Sequence, residues 1–173
     1  MNNPGTEKTS EKVPQIEAVE RWLKDVVIGL NLCPFAARPF GDKAIRIEVF
    51  EGDTETGLLE MLQSELILIN DKPIVDLTTS VHPTKNNEAS IETTLIVIPN
   101  MLHNFDTYNQ FLNLVDALLD EFSWAGQYQI ASFHPQYCFA GTAPDSPENL
   151  TNRSPYPLLH IIREASIETA LQH

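Results

Sequence analysis

The run Thr93-Thr94-Leu95-Ile96-Val97-Ile98 constrains the fold most. It is apolar or β-branched at every position, offers no polar face and is closed by Pro99. Such a run reads as a central strand buried on both sides, so the sheet that holds it needs a layer above and a layer below.

Two other segments supply strands and four supply helices. Lys43 to Phe50 alternates Ile45, Ile47 and Val49 with Arg46 and Glu48, the pattern of a half-buried strand. Tyr128 to Phe133 is another strand, ended by His134-Pro135. Ile16, Val19, Leu23, Val26, Val27 and Leu30 recur at helical spacing and stop at Pro34. Leu58, Met61, Leu62, Leu66 and Ile69 give a second helix over about Thr56 to Asn70. Phe105 to Leu119 gives a third, with Asn104 as its N-cap. Ser154-Pro155 reads as the start of a last helix carrying Leu158, Ile161, Ile162 and Ala165.

Pro73 to Thr79 decides the order of elements. As a strand it pairs with the Ile91 strand as a hairpin, and the core becomes the ferredoxin-like β-α-β-β-α-β. As a loop it leaves β-α-β-α-β, a mainly parallel sheet. Either way the expectation is an α/β sandwich of the α+β kind. It has a small sheet of three or four strands and extra N- and C-terminal helices. Met1 to Pro14 reads as a solvated tail, and residues 15–173 as a single domain.

Composition narrows function mostly by exclusion. Eleven Lys and Arg against 24 Asp and Glu give a net charge of −13, which repels nucleic-acid phosphates. Hydrophobic residues make up 42% of the chain, enough for a core. No apolar stretch approaches the ~18–20 residues of a membrane span. No Walker loop and no GxGxxG is present, and the ligand patterns of haem and iron–sulfur groups are missing. No cofactor can be named. Two cysteines, Cys33 and Cys138, are too few for a disulfide framework, so a reduced, cytoplasmic setting is expected.

Four segments are poorly explained as core or as surface alone: Gly29-Leu30-Asn31-Leu32-Cys33-Pro34-Phe35-Ala36, Glu92-Thr93-Thr94, Ala131 to Tyr137 with Phe139 to Thr142, and Thr151-Asn152-Arg153-Ser154-Pro155-Tyr156-Pro157. With Leu159 to Glu164 they resemble an uncharacterised, mostly bacterial family, domain of unknown function 1415. The resemblance runs from about Trp22 to Leu171. It implies a shared fold and a shared site, and it carries no reaction with it. Pro73 to Ser90 looks like an insertion relative to that family, whose pattern has glutamine in the place of Cys138.

Cys33 is the first candidate. Read as the N-cap of a short turn, Phe35 to Arg38, it gains a stabilised thiolate from backbone N–H groups; the bland reading is a small buried side chain. His134 and Asn100 fall beyond the ends of strands, where ligands gather, and His134 or His160 could serve as a base. The alternative for His134 is an imidazole bonded to a loop carbonyl. Asn152, Arg153 and Ser154, ahead of the expected last helix, form an anion site or else an ordinary helix cap. No Lys or Arg lies between Asn86 and Asn152, whereas eight acidic residues do. His160, Arg163 and Glu164 would share one side of that helix.

The leading expectation is a pocket for a small anionic molecule, bound by Asn152, Arg153, Ser154, Arg163 and Asn100. Cys33 would be the nucleophile and His134 or His160 the base. A non-catalytic acidic module that docks a basic protein partner is the alternative. A metal site of Cys33, His134, Cys138 and His160 is a weaker one. Neither nucleic acid nor membrane is expected as a partner.

Overall fold

A computed structural model describes residues 8–33, 36–71 and 91–171. In chain order they form α1 (Lys8–Trp22), a π-helical turn (Leu23–Ile28), α2 (Ala37–Gly41), β1 (Ile45–Val49), α3 (Glu55–Asp71) and β2 (Thr93–Val97). Then come α4 (Phe105–Glu121), β3 (Tyr128–Phe133), a 3-10 turn (Pro147–Asn152), β4 (Leu158–Arg163) and α5 (Glu164–Leu171).

The strands make one sheet in the order β1-β2-β4-β3. β1 and β2 are parallel, while β4 runs antiparallel to both of its neighbours. β1, β2 and β3 therefore point the same way, and their ends share one edge with the start of β4. This C-terminal edge is where Phe50, Ile98, His134 and Pro157 meet.

All of β2 is buried, as its unbroken apolar run demands. On one face Ile96, Leu159 and Ile161 pack against Leu62, Leu66, Ile69, Phe111 and Val115 of α3 and α4. On the other, Leu95, Val97 and Leu158 pack against Val19, Trp22, Leu23 and Val27. Each fully buried Leu or Ile contributes about 1.5–3 kcal/mol by leaving water. The expected α+β sandwich is thus present, with the sheet between two helical layers.

Three local expectations need correction. Residues 158–163 are a strand, and the helix begins only at Glu164. Leu158-Leu159 and Ile161-Ile162, interrupted only by His160, satisfy both periods, and pairing with two strands decides for β. The described order is therefore β-α-β-α-β-β: the expected β-α-β-α-β alternative, with β4 added antiparallel where a helix was expected. The candidate strand at 73–79 lies outside the described residues. The N-cap of α2 is Ala36, not Cys33, and Pro39 lies inside that helix, buried. The first helix also begins before Gln15, at Lys8, and runs through Pro14. Lys12 reaches Glu51 at 3.6 Å.

The π-helical turn fixes one glycine. Here the chain gains a residue per turn, and the Gly29 and Leu32 N–H groups donate five residues back, to Lys24 and Val27 at 3.0 and 2.9 Å. A Cβ on Gly29 would lie 2.4 Å from the Asp25 carbonyl oxygen, a backbone atom with little freedom to yield. Gly29→Ala is expected to cost about 1–3 kcal/mol, as overpacking does. Urea unfolding checks this, and a midpoint equal to the parent's would remove the steric argument.

Beneath α3, Glu65 is buried and takes two hydrogen bonds from Arg46 of β1, at 3.0 and 3.3 Å, and a third from the Thr94 hydroxyl at 3.3 Å. The fork of the guanidinium matches the carboxylate, which makes the burial of this charge tolerable.

Candidate functional site

The C-terminal edge gathers two of the four unusual segments, Ala131 to Thr142 and Thr151 to Pro157, and backbone groups hold them there. Asn152 is central. Its carbonyl accepts from the His134 N–H at 3.1 Å and its side-chain amide donates to the Ser132 carbonyl at 3.0 Å. One residue thus bonds β3 on its outer side as a neighbouring strand would. Arg153 comes next. Its carbonyl accepts from the Trp22 indole N–H at 2.8 Å, which ties this segment to α1. Its guanidinium donates through Nε to the Tyr137 carbonyl at 3.3 Å and through a terminal nitrogen to the Pro144 carbonyl. Ser154, buried, donates to the Tyr156 carbonyl at 2.5 Å.

The loop between them is organised by Asn149, a fully buried residue. Its Oδ1 accepts from the Phe139 N–H and the Thr142 hydroxyl, both at 2.9 Å, and its Nδ2 donates to the Ala143 carbonyl at 2.8 Å. Nδ2 also lies 3.9 Å from Cys138 Sγ. That sulfur is 3.6 Å from the Thr142 carbonyl, so the thiol acts as a weak donor inside the loop.

His134 is fully buried against Phe105 and Tyr108, at 5.4 and 5.1 Å between ring centres. Nδ1 accepts from the Gln136 N–H at 3.0 Å, so Nε2 carries the proton and donates to the Leu102 carbonyl at 3.0 Å. Burial lowers its pKa below the ordinary 6.5, and the ring is neutral. Its carbonyl partner belongs to a strained residue, since Leu102 has φ of +58°. Beside it the Tyr108 hydroxyl spans the last rung of the sheet. It accepts from the Phe133 N–H at 3.1 Å and donates to the Leu158 carbonyl at 2.6 Å. Burial pushes that phenol well above its usual pKa.

Cys33 packs in the other layer, with the cluster that holds Val27, Val97, Leu158 and Phe133. Phe133 and His134 are consecutive in an extended chain and so point to opposite faces. Cys33 and His134 are therefore separated by the sheet, and of the two expected nucleophile–base pairs this one is not assembled. His160 is on the Cys33 side, opposite Leu95 and Ala131. The Thr93 hydroxyl donates to the Ile161 carbonyl, which leaves His160 Nε2 to donate to Thr93 Oγ1 at 2.6 Å. Burial lowers the His160 pKa to about 4.

The remaining candidates are dispersed. His160 and Arg163 are three apart on a strand and so face opposite ways, not along one helical stripe. Arg163 lies on the α3 side, over the Tyr128 ring at 5.9 Å, and donates to the Ile69 carbonyl. Asn100 is at the C-terminal edge, donating to the Glu51 carbonyl at 2.9 Å. The expected anion site at a helix start after Ser154 is absent, because a strand follows. Among the described residues no three His, Cys, Asp or Glu side chains come together as metal donors, so the set Cys33, His134, Cys138 and His160 is not assembled. An open hollow of about 450 Å³ over α1, lined by Glu17, Arg21, Lys24 and Phe40 among others, contains none of the candidates. No described helix is long and apolar enough to cross a membrane.

Trp22, Tyr108 and Asn149 were not singled out from the sequence. Trp22 and Tyr108 sit in apolar helical stripes whose spacing accounts for them fully, and Asn149 lies in a polar loop. A polar tip on an otherwise buried aromatic was the one available signal.

No curated protein and no solved structure matches this chain. A family model does match, over residues 14–173, and so covers nearly the whole sequence, including every segment that builds the C-terminal edge. The chain belongs to the family described as protein of unknown function, DUF1415.

Proposed function

We propose that this chain binds a small carboxylate or phosphate at the C-terminal edge of its sheet, on Arg153. The carrying observation is the state of that guanidinium. Two of its nitrogens are anchored to carbonyls of one loop, and no carboxylate lies within ion-pair distance of it among the described residues. Its charge is unbalanced at close range, its position is fixed in advance, and the donor to Pro144 is on the exposed side. A pre-positioned fork with spare N–H groups suits a planar anion. The 86–152 stretch that precedes Arg153 carries only acidic charge. Binding without covalent chemistry is the reading, since Cys33 and His134 lie on opposite faces and the His160 Nε2 proton is committed to Thr93 Oγ1.

The test is thermal unfolding with phosphate or citrate, against chloride at matched ionic strength. Wild-type protein gains about 2.7 kcal/mol when the anion stands a hundredfold above its Kd. Arg153→Gln gains nothing, and Arg153→Lys gains less, because it keeps the charge but loses the fork. Equal gains in all three proteins would overturn the reading.

A further inference from the structure

The two helical layers differ in charge. α1 and the π-helical turn mix Lys12, Arg21 and Lys24 with Glu17, Glu20 and Asp25. α3 and α4 together contain no Lys and no Arg, and carry Glu55, Glu60, Glu65, Asp71, Asp106, Asp116, Asp120 and Glu121. Only Glu65 is paired inward, with Arg46. The same layer exposes two large apolar side chains in mid-helix, Ile67 at 46% and Leu114 at 41%.

Their spacing is informative. Glu60, Ile67 and Asp71 recur at i, i+7 and i+11 along α3, which is one outward line. Gln110, Leu114 and Glu121 recur at i, i+4 and i+11 along α4. Both lines are solvent-exposed, and the helices pack beside each other. Each line therefore has one apolar anchor with an acidic group on the same face.

We infer that the outer face of α3 and α4 docks an amphipathic, Lys/Arg-flanked helix of a protein partner. Leu or Phe side chains of that helix would cover Ile67 and Leu114, and its basic residues would meet Glu60, Asp71 and Glu121. Charge complementarity selects this occupant. A second copy of this chain would bring another uniformly negative face against the first, and like charges in an interface cost several kcal/mol. The apolar anchors point to a helix rather than to a simple polycation, because helix-in-groove partners present residues at i, i+3, i+4 and i+7. This surface is independent of Arg153.

The experiment titrates the full chain with a Leu/Lys peptide of heptad-type amphipathic pattern, and in parallel with a scrambled peptide of identical composition. Amide chemical shifts locate the binding, and calorimetry gives the affinity. The patterned peptide is expected to bind at least tenfold more tightly than the scrambled one and to shift α3 and α4 amides. Ile67→Ser with Leu114→Ser removes that preference, and Asp71→Lys with Glu121→Lys weakens both peptides at least tenfold. All four positions are exposed, so the fold survives, and far-UV circular dichroism confirms that. Equal affinity for the two peptides, shifts confined to other elements, or variants that bind as the parent does would each overturn the inference.

Discussion

A His134→Phe variant is expected to lose about 3 kcal/mol of stability and, for a chain of this size, to melt roughly 6–12 °C lower. Phenylalanine has a similar volume and keeps the contacts with Phe105 and Tyr108, so cavity formation is a minor part of the loss. What disappears is the pair of hydrogen bonds that ties the Leu102 carbonyl to the Gln136 N–H through the imidazole. Leu102 is held in the left-handed region, and the bond from Nε2 is what its carbonyl gains there. Calorimetric melting measures the effect directly. A variant within 0.5 kcal/mol of the parent would show that His134 is not a structural clamp, and would return it to the list of possible bases.

The second large effect is acid destabilisation centred on His160. Burial lowers its pKa in the folded chain to about 4, against 6.5 when unfolded. The unfolded chain then binds more protons between those values, so stability is complete above about pH 6.5 and falls as the pH drops toward 4. The loss is on the order of 3 kcal/mol once both states are protonated. His134 is lowered in the same direction and adds to the slope. Carboxylates also titrate near the lower end, so the informative quantity is a difference. His160→Leu leaves Thr93 still donating to the Ile161 carbonyl, and should show a flatter stability profile between pH 6.5 and 4.5 than the parent. Parallel profiles in urea titrations across that range would sink the assignment.

The layers of the fold were legible because their signals are local. β2 is apolar at every position, and α4 repeats Tyr108, Phe111, Val115 and Leu119 on one face. β4 was not legible, because Leu158, Ile161, Ile162 and Ala165 fit a helix as well as a strand, and the arbiter is pairing with β2 and β3. The site shows the same division. The segment around Arg153 was visible as unusual, but its partners are far away in sequence, with Trp22 bonding the Arg153 carbonyl from 131 residues off. A strand follows Ser154, so the segment is a set of loop staples and not a helix-end anion site. The separation of Cys33 from His134 was partly readable. Phe133 and His134 must face opposite ways in a strand, but which layer receives Cys33 depends on how α1 lies across the sheet.

Asn152 bears on how this protein behaves at high concentration. β3 is an outer strand, Tyr-Gln-Ile-Ala-Ser-Phe, with no charge and no proline to discourage a second chain from adding to it. Its odd-numbered residues turn their backbone groups toward β4, as the Gln127 carbonyl and the Phe133 N–H do, so the even-numbered ones face outward. Of these, Tyr128 donates to the Trp124 carbonyl, while the Ser132 carbonyl and the His134 N–H are taken by Asn152. The open template shrinks to a short stretch around Ile130, too little for another strand to zip along. A single asparagine thus serves as a terminator of sheet growth at the β3 edge.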